Sequence, residues 1–265
     1  MSELVKPIAT RQAFGEALAN VGDKYPDVVV LEADLAKSTR SEVFAKRFPE
    51  RFFEMGVAEQ NMIGVAAGLA LCGKTAFCCS FACFVAGRVE TVRMSVGYSK
   101  SRVRIVGTHT GIGTGPDGYS HMALEDLATM RVLPTMEVFQ PADDLETVQI
   151  VEYLCRKPGP AYLRLTRQEL PRVHRSDYQF EPGKLDIVRE GRDVAIFATG
   201  GTVMHALEAA ETLAKRGVDA AVVNVPTIKP MDREGVVQWS KKVALIITVE
   251  DHNVLGGMGS AVAEV

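Results

Sequence analysis

The sequence is short of several features that would assign a function at once. Cysteine is scarce: 5 in 265 residues, with Cys72, Cys78, Cys79 and Cys83 grouped, Cys155 apart, and no C-x-x-C pair. Such an odd set gives no disulfide framework and reads as reduced, mostly buried thiols in a cytoplasmic protein. A basic surplus is missing too. Lys+Arg 30 against Asp+Glu 33 leaves a formal net charge of -3, which argues against a nucleic-acid surface or a polybasic membrane surface. Apolar runs such as "IGVAAGLAL" fall well short of the ~20 residues that span a bilayer, so no membrane association is expected. The opening "MSELVKPIAT" lacks a basic segment followed by an apolar one, so no secretory signal is expected. What is present is core material: 47% of the residues are hydrophobic, enough for one large or two ordinary domains.

Apolar β-rich stretches alternate with helical ones, the pattern of an α/β fold with largely parallel sheets. "DVVVLEADL", "KTAFCCSF", "VRIVGTHTG", "TMEVFQPAD" and "PAYLRLTR" read as strands, with "EQNMIGVAAGLAL" and "DDLETVQIVEYLCRK" as helices between them. "SHMALEDLATMRVL" reads as a helix capped by Ser120. The polar, Pro- and Gly-containing "LPRVHRSDYQFEPGK" interrupts this rhythm and reads as a linker. After it come strand "DVAIFATG", helix "MHALEAAETLAKRG", and strands "AAVVNVPTI" and "VALIITVED". The expected organisation is a first domain over 1–172, a linker over 173–187, and a second domain over 188–265 whose pattern stops early.

Glu59 raises a question, because it heads an apolar helix where a carboxylate is expensive to bury. It is either a helix N-terminal acid favoured by the macrodipole, or a carboxyl pushed toward neutrality that can hold or pass a proton. In "FCCSFACFVAG", Phe77 suits the core, whereas Phe81 and Phe84 either pack inward or face a cleft and stack on a flat heterocycle. Four glycines in "THTGIGTGPDGYSH" follow a strand, with His109, Asp117 and His121 among them. A Gly-rich loop at the carboxyl end of a strand is where open α/β sheets bind ligands. "LRLTRQ" puts Arg164 and Arg167 at another strand end, where Arg167 either grips a phosphate or carboxylate or pairs on the surface.

Taken together, "GVAEQNM", "SFACF", "GTHTGIGTGPDGYSHMALEDLATMR", "QPADDLET" and "YLRLTRQELP" resemble, in order, the second half of a transketolase, a thiamine diphosphate enzyme. The resemblance covers nearly the whole chain and implies two three-layer αβα domains, the pyrimidine-binding domain and then the C-terminal domain. It implies that Glu59 hydrogen-bonds a ring nitrogen of the cofactor's aminopyrimidine and so promotes formation of the thiazolium ylid. Phe81 and Phe84 are then expected to pack on that ring, with Asp34 near the thiazolium end. Arg11, Ser38, His109 and Arg167 match positions that grip a sugar phosphate, and Asp117 and His121 match groups that hydrogen-bond substrate hydroxyls, with His121 also catalytic. Two departures stand out: Pro116 where relatives have Glu in a G-E-D-G stretch, and Gly87 where some transketolases carry a third aromatic ring.

Transketolases hold the diphosphate through Mg2+ or Ca2+ on a separate domain with a G-D-G motif, and no G-D-G occurs in this chain. The resemblance therefore implies an N-terminal partner subunit that carries the metal ligands and the diphosphate domain, in a heterotetramer with two copies of each chain. The expected activity is transfer of a two-carbon ketol unit between phosphosugars. The alternatives are the β subunit of a thiamine-dependent 2-oxo acid dehydrogenase and a non-catalytic regulatory subunit; "HTGIGTGPDGYSH" with "LRLTRQ" speaks against the first, and joint retention of Glu59, His109, Asp117, His121 and Arg167 against the second.

Overall fold

The structure, a computed structural model, describes residues 6–265. The first five positions, which open the expected first domain, lie outside the described residues. Its strands, in chain order, are β1 (Ile8–Ala9), β2 (Val28–Glu32), β3 (Phe52–Glu54), β4 (Thr75–Phe81), β5 (Val103–Thr108), β6 (Glu137–Phe139), β7 (Ala161–Arg164), β8 (Glu169–Leu170), β9 (Asp186–Arg189), β10 (Val194–Ala198), β11 (Ala220–Asn224), β12 (Thr227–Lys229) and β13 (Leu245–Val249). Seven of them form one sheet in the order β12-β6-β7-β5-β4-β2-β3, parallel except for β12. A second sheet, β13-β10-β11-β9, is parallel but for the edge strand β9.

Side-chain alternation decides what each face of the large sheet meets. Val28 and Val30 join Phe77, Cys79, Val106 and Leu163 on one face, under Phe14 and Leu18 of the helix Thr10–Lys24 and Ile150 and Leu154 of the helix Asp144–Arg156. Val29 and Leu31, one residue out of step, join Cys78 and Ile105 on the other face with Met62, Ile63 and Ala66 of the helix Glu59–Leu71. A strand with both faces covered reads as a continuous apolar run, which is what "VVVL" is. The second sheet repeats the plan. Ile196, Ala198 and Val222 pack on the helix Thr202–Ala214, whereas Ala195, Phe197 and Val223 continue the core that contains Met62 and Ile63. Both units are thus three-layer αβα structures.

Two local expectations require correction. "AAVVNVPTI" is not one strand: Pro226 separates β11 from β12, because it lacks the N–H a central ladder needs, and β12 crosses to pair antiparallel with β6 of the other sheet. Ser120 caps no α-helix. A 3-10 turn spans Tyr119–His121, and the helix begins only at Asp126, since Gly115 and Gly118 at φ 78 and 74 carry the chain through turns first.

The connecting segment is fastened by a buried polar network. Asp143 caps the helix Asp144–Arg156 by accepting from Glu146 N–H, and its other oxygen accepts from the N–H groups of Val173 and His174 and from His174 Nδ1 at 2.8 Å. His174 Nε2 lies 3.3 Å from Asp186, and Glu146 accepts from Tyr178 OH and from Asn224 of β11. Burial alone would lower the His174 pKa, but Asp143, Asp186 and Glu146 outweigh it and raise it from 6.5 to about 10. A base raised on folding contributes stability that is complete below pH 6.5 and is lost as pH rises toward about 10. Urea unfolding of the wild type should therefore show about 2–4 kcal/mol lost across that window, and His174→Ala should flatten the decline. An equally steep decline in the variant would remove His174 as its source.

Candidate active site

The parallel strands all end on one edge of the large sheet, and the residues singled out in the sequence follow those ends. Asp34 and Ser38 come after β2, Glu59 after β3, His109 after β5 and Arg167 after β7, while Phe81 ends β4 and Phe84 follows it. The chain runs outward from β2 to β3 and then returns across β2 to β4. Neighbouring β2 and β4 thereby form the switch point beside which open α/β sheets hold ligands.

Glu59 is the first residue of its helix, is 6% exposed, and has no hydrogen bond or ion pair among the described residues. Its carboxylate oxygens are not sealed in, so they lie open at the sheet edge with no side-chain partner among the described residues. At the end of β4, Phe81 stacks on Phe84 with centroids 5.6 Å apart and on the His109 ring at 3.7 Å, while His121 meets both phenyl rings edge-on. Phe77, assigned to the core, is fully buried.

The His109 tautomer follows from its neighbours. Arg11 Nη1, which can only donate, lies 3.1 Å from Nε2, so Nε2 accepts and the proton sits on Nδ1, 2.9 Å from Thr108 Oγ1. Burial, then the Arg11 and Arg167 guanidiniums, lower the His109 pKa to about 3, so the ring is neutral at pH 7. His121 points its Nδ1 at Ser120 Oγ, 2.9 Å away.

A basic pole lies alongside. Arg11 donates to Ser38 through the main-chain carbonyl at 2.7 Å, so Ser38 enters by its backbone. Arg167 donates to Asp117 at 2.7 Å and to the Thr114 carbonyl at 2.9 Å, which ties the Gly-rich loop to the end of β7. Asp34 stands apart from this pole: it is exposed, and its N–H donates to Glu54 at 2.8 Å. The loop is held from below as well, where Asp251 accepts from Ile112 N–H at 2.9 Å.

Three further residues matter here that the sequence alone did not single out. Glu32, at the end of β2, is fully buried; burial raises its carboxyl to about 8 against hydrogen bonds from Ser41 and Thr39 at 2.6 and 2.8 Å. Asp126 binds Arg164 through Nε at 2.7 Å and Nη2 at 3.0 Å and accepts from Tyr162 OH at 2.6 Å, all buried. Arg164 is therefore structural. Arg40 turns toward the basic pole through a left-handed backbone at φ 70. Asp34, Arg40 and His109 are three of the four non-glycine residues with left-handed φ among the described residues. Such strain collects at functional sites and leaves no sequence signature in Arg or His.

Comparison with known proteins decides the family. Residues 6–173 match the transketolase pyrimidine-binding domain model and residues 183–265 the transketolase C-terminal domain model. The chain belongs to the transketolase family. It is 46% identical to a putative transketolase C-terminal section of Methanocaldococcus jannaschii, covering 96% of this chain and 81% of that protein. It is 40% identical to one of the subunits of the apulose-4-phosphate transketolase of Actinobacillus succinogenes, over 90% of this chain and 77% of that one. A solved split gene transketolase, an inactive beta4 tetramer, superposes with a TM-score of 0.90 at 49% identity, covering 98% of this chain and 85% of that chain. This transketolase chain thus corresponds to the C-terminal section of the enzyme.

Thiamine diphosphate is the cofactor the family implies, and one end of it fits what this chain offers. Glu59, a buried acid without a partner, and the paired Phe81 and Phe84 rings suit a flat aminopyrimidine with a ring nitrogen to satisfy. For the diphosphate end, no group of three or more His, Cys, Asp or Glu side chains able to hold a metal ion occurs among the described residues. No helix among them is long and apolar enough to cross a membrane.

Proposed function

We propose that this chain is one half of a split transketolase, moving a two-carbon ketol unit from a ketose phosphate to an aldose phosphate with an N-terminal subunit as obligate partner. The observation that carries this is the unpartnered Glu59 carboxylate at the sheet edge shared by Phe81, Phe84, His109 and His121. When bound, thiamine diphosphate supplies a nucleophilic carbon and an electron sink. Glu59 holds and moves a proton at the aminopyrimidine nitrogen. Phe81 and Phe84 pack on that ring and keep water from it, and Asp34 lies toward the thiazolium end. Neutral His109, with its proton on Nδ1, Arg11, Ser38 and Arg167 orient the sugar through its phosphate. Asp117 and His121 hydrogen-bond the hydroxyls, and His121 exchanges a proton with the reacting one.

The Mg2+ or Ca2+ ligands and the diphosphate cradle are assigned to the partner, in an assembly with two copies of each chain. Two relatives support a partner: the Actinobacillus succinogenes protein is named as one subunit of its transketolase, and the structural neighbour is an inactive tetramer of β chains. The test is ketol transfer from xylulose 5-phosphate to ribose 5-phosphate with thiamine diphosphate and Mg2+. Activity is expected in the pair and not in this chain alone. Binding of the cofactor by the pair without transfer from any ketose phosphate would sink the reading of the reaction.

A further inference from the structure

A cavity of about 330 Å³ opens at the basic pole, lined by Arg11, Arg40, Arg167, Gln12 and Glu169 among others. Its three guanidiniums are not equally compensated. Arg167 is paired with Asp117. Arg11 faces only neutral groups, the Ser38 carbonyl and the His109 ring, and its buried Nε has no partner. Arg40 makes no side-chain hydrogen bond or ion pair among the described residues, and its Nε is likewise buried without a partner; Glu42, the nearest acid in sequence, is taken by Lys46 at 2.8 Å. Two guanidiniums that line one cavity with no ion pair on either repel each other, and an anion between them would relieve both.

The backbone is arranged to keep Arg40 there. A Cβ on Gly15 would come within 2.4 Å of the Arg40 carbonyl oxygen and 2.7 Å of its Cβ. Only glycine on the helix Thr10–Lys24 lets Arg40 come this close, and the left-handed φ of 70 then turns its side chain to the cavity that Arg11 also lines. Repulsion shows in Arg11, whose pKa is lowered to about 10 by burial, then by Arg40 and Arg167. A monoanion would neutralise one of the two uncompensated guanidiniums; a phosphate dianion neutralises both and offers enough oxygens for their free N–H groups.

We propose that Arg40 is a specificity-determining residue, which pairs with Arg11 on one dianionic phosphate and makes the transfer select phosphorylated sugars over the same sugars without phosphate. This rests on the split-transketolase reading, so the test has one arm that needs no turnover. Inorganic phosphate is titrated into this full chain by calorimetry, comparing wild type, Arg40→Gly and Arg40→Lys. The glycine variant suits a left-handed backbone, so it removes the guanidinium without added strain. Phosphate affinity should fall about 10- to 100-fold in Arg40→Gly and be partly regained in Arg40→Lys, as for loss of a charge-assisted hydrogen bond. In the assembled pair, the ratio of kcat/KM for ribose 5-phosphate to that for ribose should fall by a similar factor, mainly through KM. Undiminished phosphate binding in Arg40→Gly, or an unchanged ratio in an active pair, overturns the proposal. Weakened phosphate binding beside a wild-type pair that transfers no ketol unit upholds the phosphate site and removes the transketolase reading instead.

Discussion

Glu59→Gln in the assembled pair is expected to lower kcat for ketol transfer by about 100- to 10,000-fold, the usual contribution of a positioned general acid–base group. Glutamine keeps the size and most of the polarity of the side chain but cannot exchange a proton with a ring nitrogen. Packing by Phe81 and Phe84 is untouched by this change, so thiamine diphosphate should still bind the variant pair, with a Kd changed far less than kcat. Losing the negative charge at the first helical position should cost about 0.3–1 kcal/mol of stability, which separates a chemical defect from a folding one. Cofactor titration followed by a saturating rate assay distinguishes the possibilities. If excess thiamine diphosphate restores the rate, Glu59 only holds the ring and does not move its proton.

The largest stability effect is expected at Asp126. This carboxylate is fully buried, accepts from Arg164 Nε and Nη2 and from Tyr162 OH, and starts the helix Asp126–Arg131. Burial would lower the Arg164 pKa, but Asp126 outweighs it and raises it, so the guanidinium stays charged. Asp126→Ala then leaves a buried cation without a counter-ion and should cost about 3–5 kcal/mol. The Arg164 guanidinium also donates to the Ala123 and Asp251 carbonyls, and Asp251 holds the Gly-rich loop, so activity should fall along with stability. The double variant Asp126→Ala, Arg164→Met should be less destabilised than Asp126→Ala alone, because no charge remains buried. Urea unfolding of the single and double variants checks this; additive losses would mean that the pair is not coupled.

Much of the fold could be read along the chain because its elements carry strong periodic signals. "EQNMIGVAAGLAL" is the helix Glu59–Leu71 and "TAFCCSF" is β4, each an apolar stretch with clear stops. The misread pieces are those where non-local packing overrode local pattern. "SHMALEDLATMRVL" has helical spacing, but turns through Gly115 and Gly118 and the bridge between Thr110 and Ala123 delay the helix to Asp126. "AAVVNVPTI" looks continuous, yet its last residues pair with β6 of another sheet, a choice that depends on where the two units dock.

The candidate site divides in the same way. Glu59, Phe81, Phe84, His109 and His121 stood out because acidic, aromatic and imidazole groups at strand ends are unusual against an apolar background. The sequence by itself determined the α/β class, the residues at the carboxyl edge and the family resemblance, all of which depend on residue type and order. What each side chain touches was left to the tertiary structure. It separated Arg164, locked onto Asp126, from Arg167, paired with Asp117 at the loop. It also brought out Arg40 and Glu32, whose importance comes from a left-handed backbone in one case and complete burial in the other. Burial, electrostatic partners and backbone strain are set by neighbours distant in the chain, so only the folded arrangement fixes them.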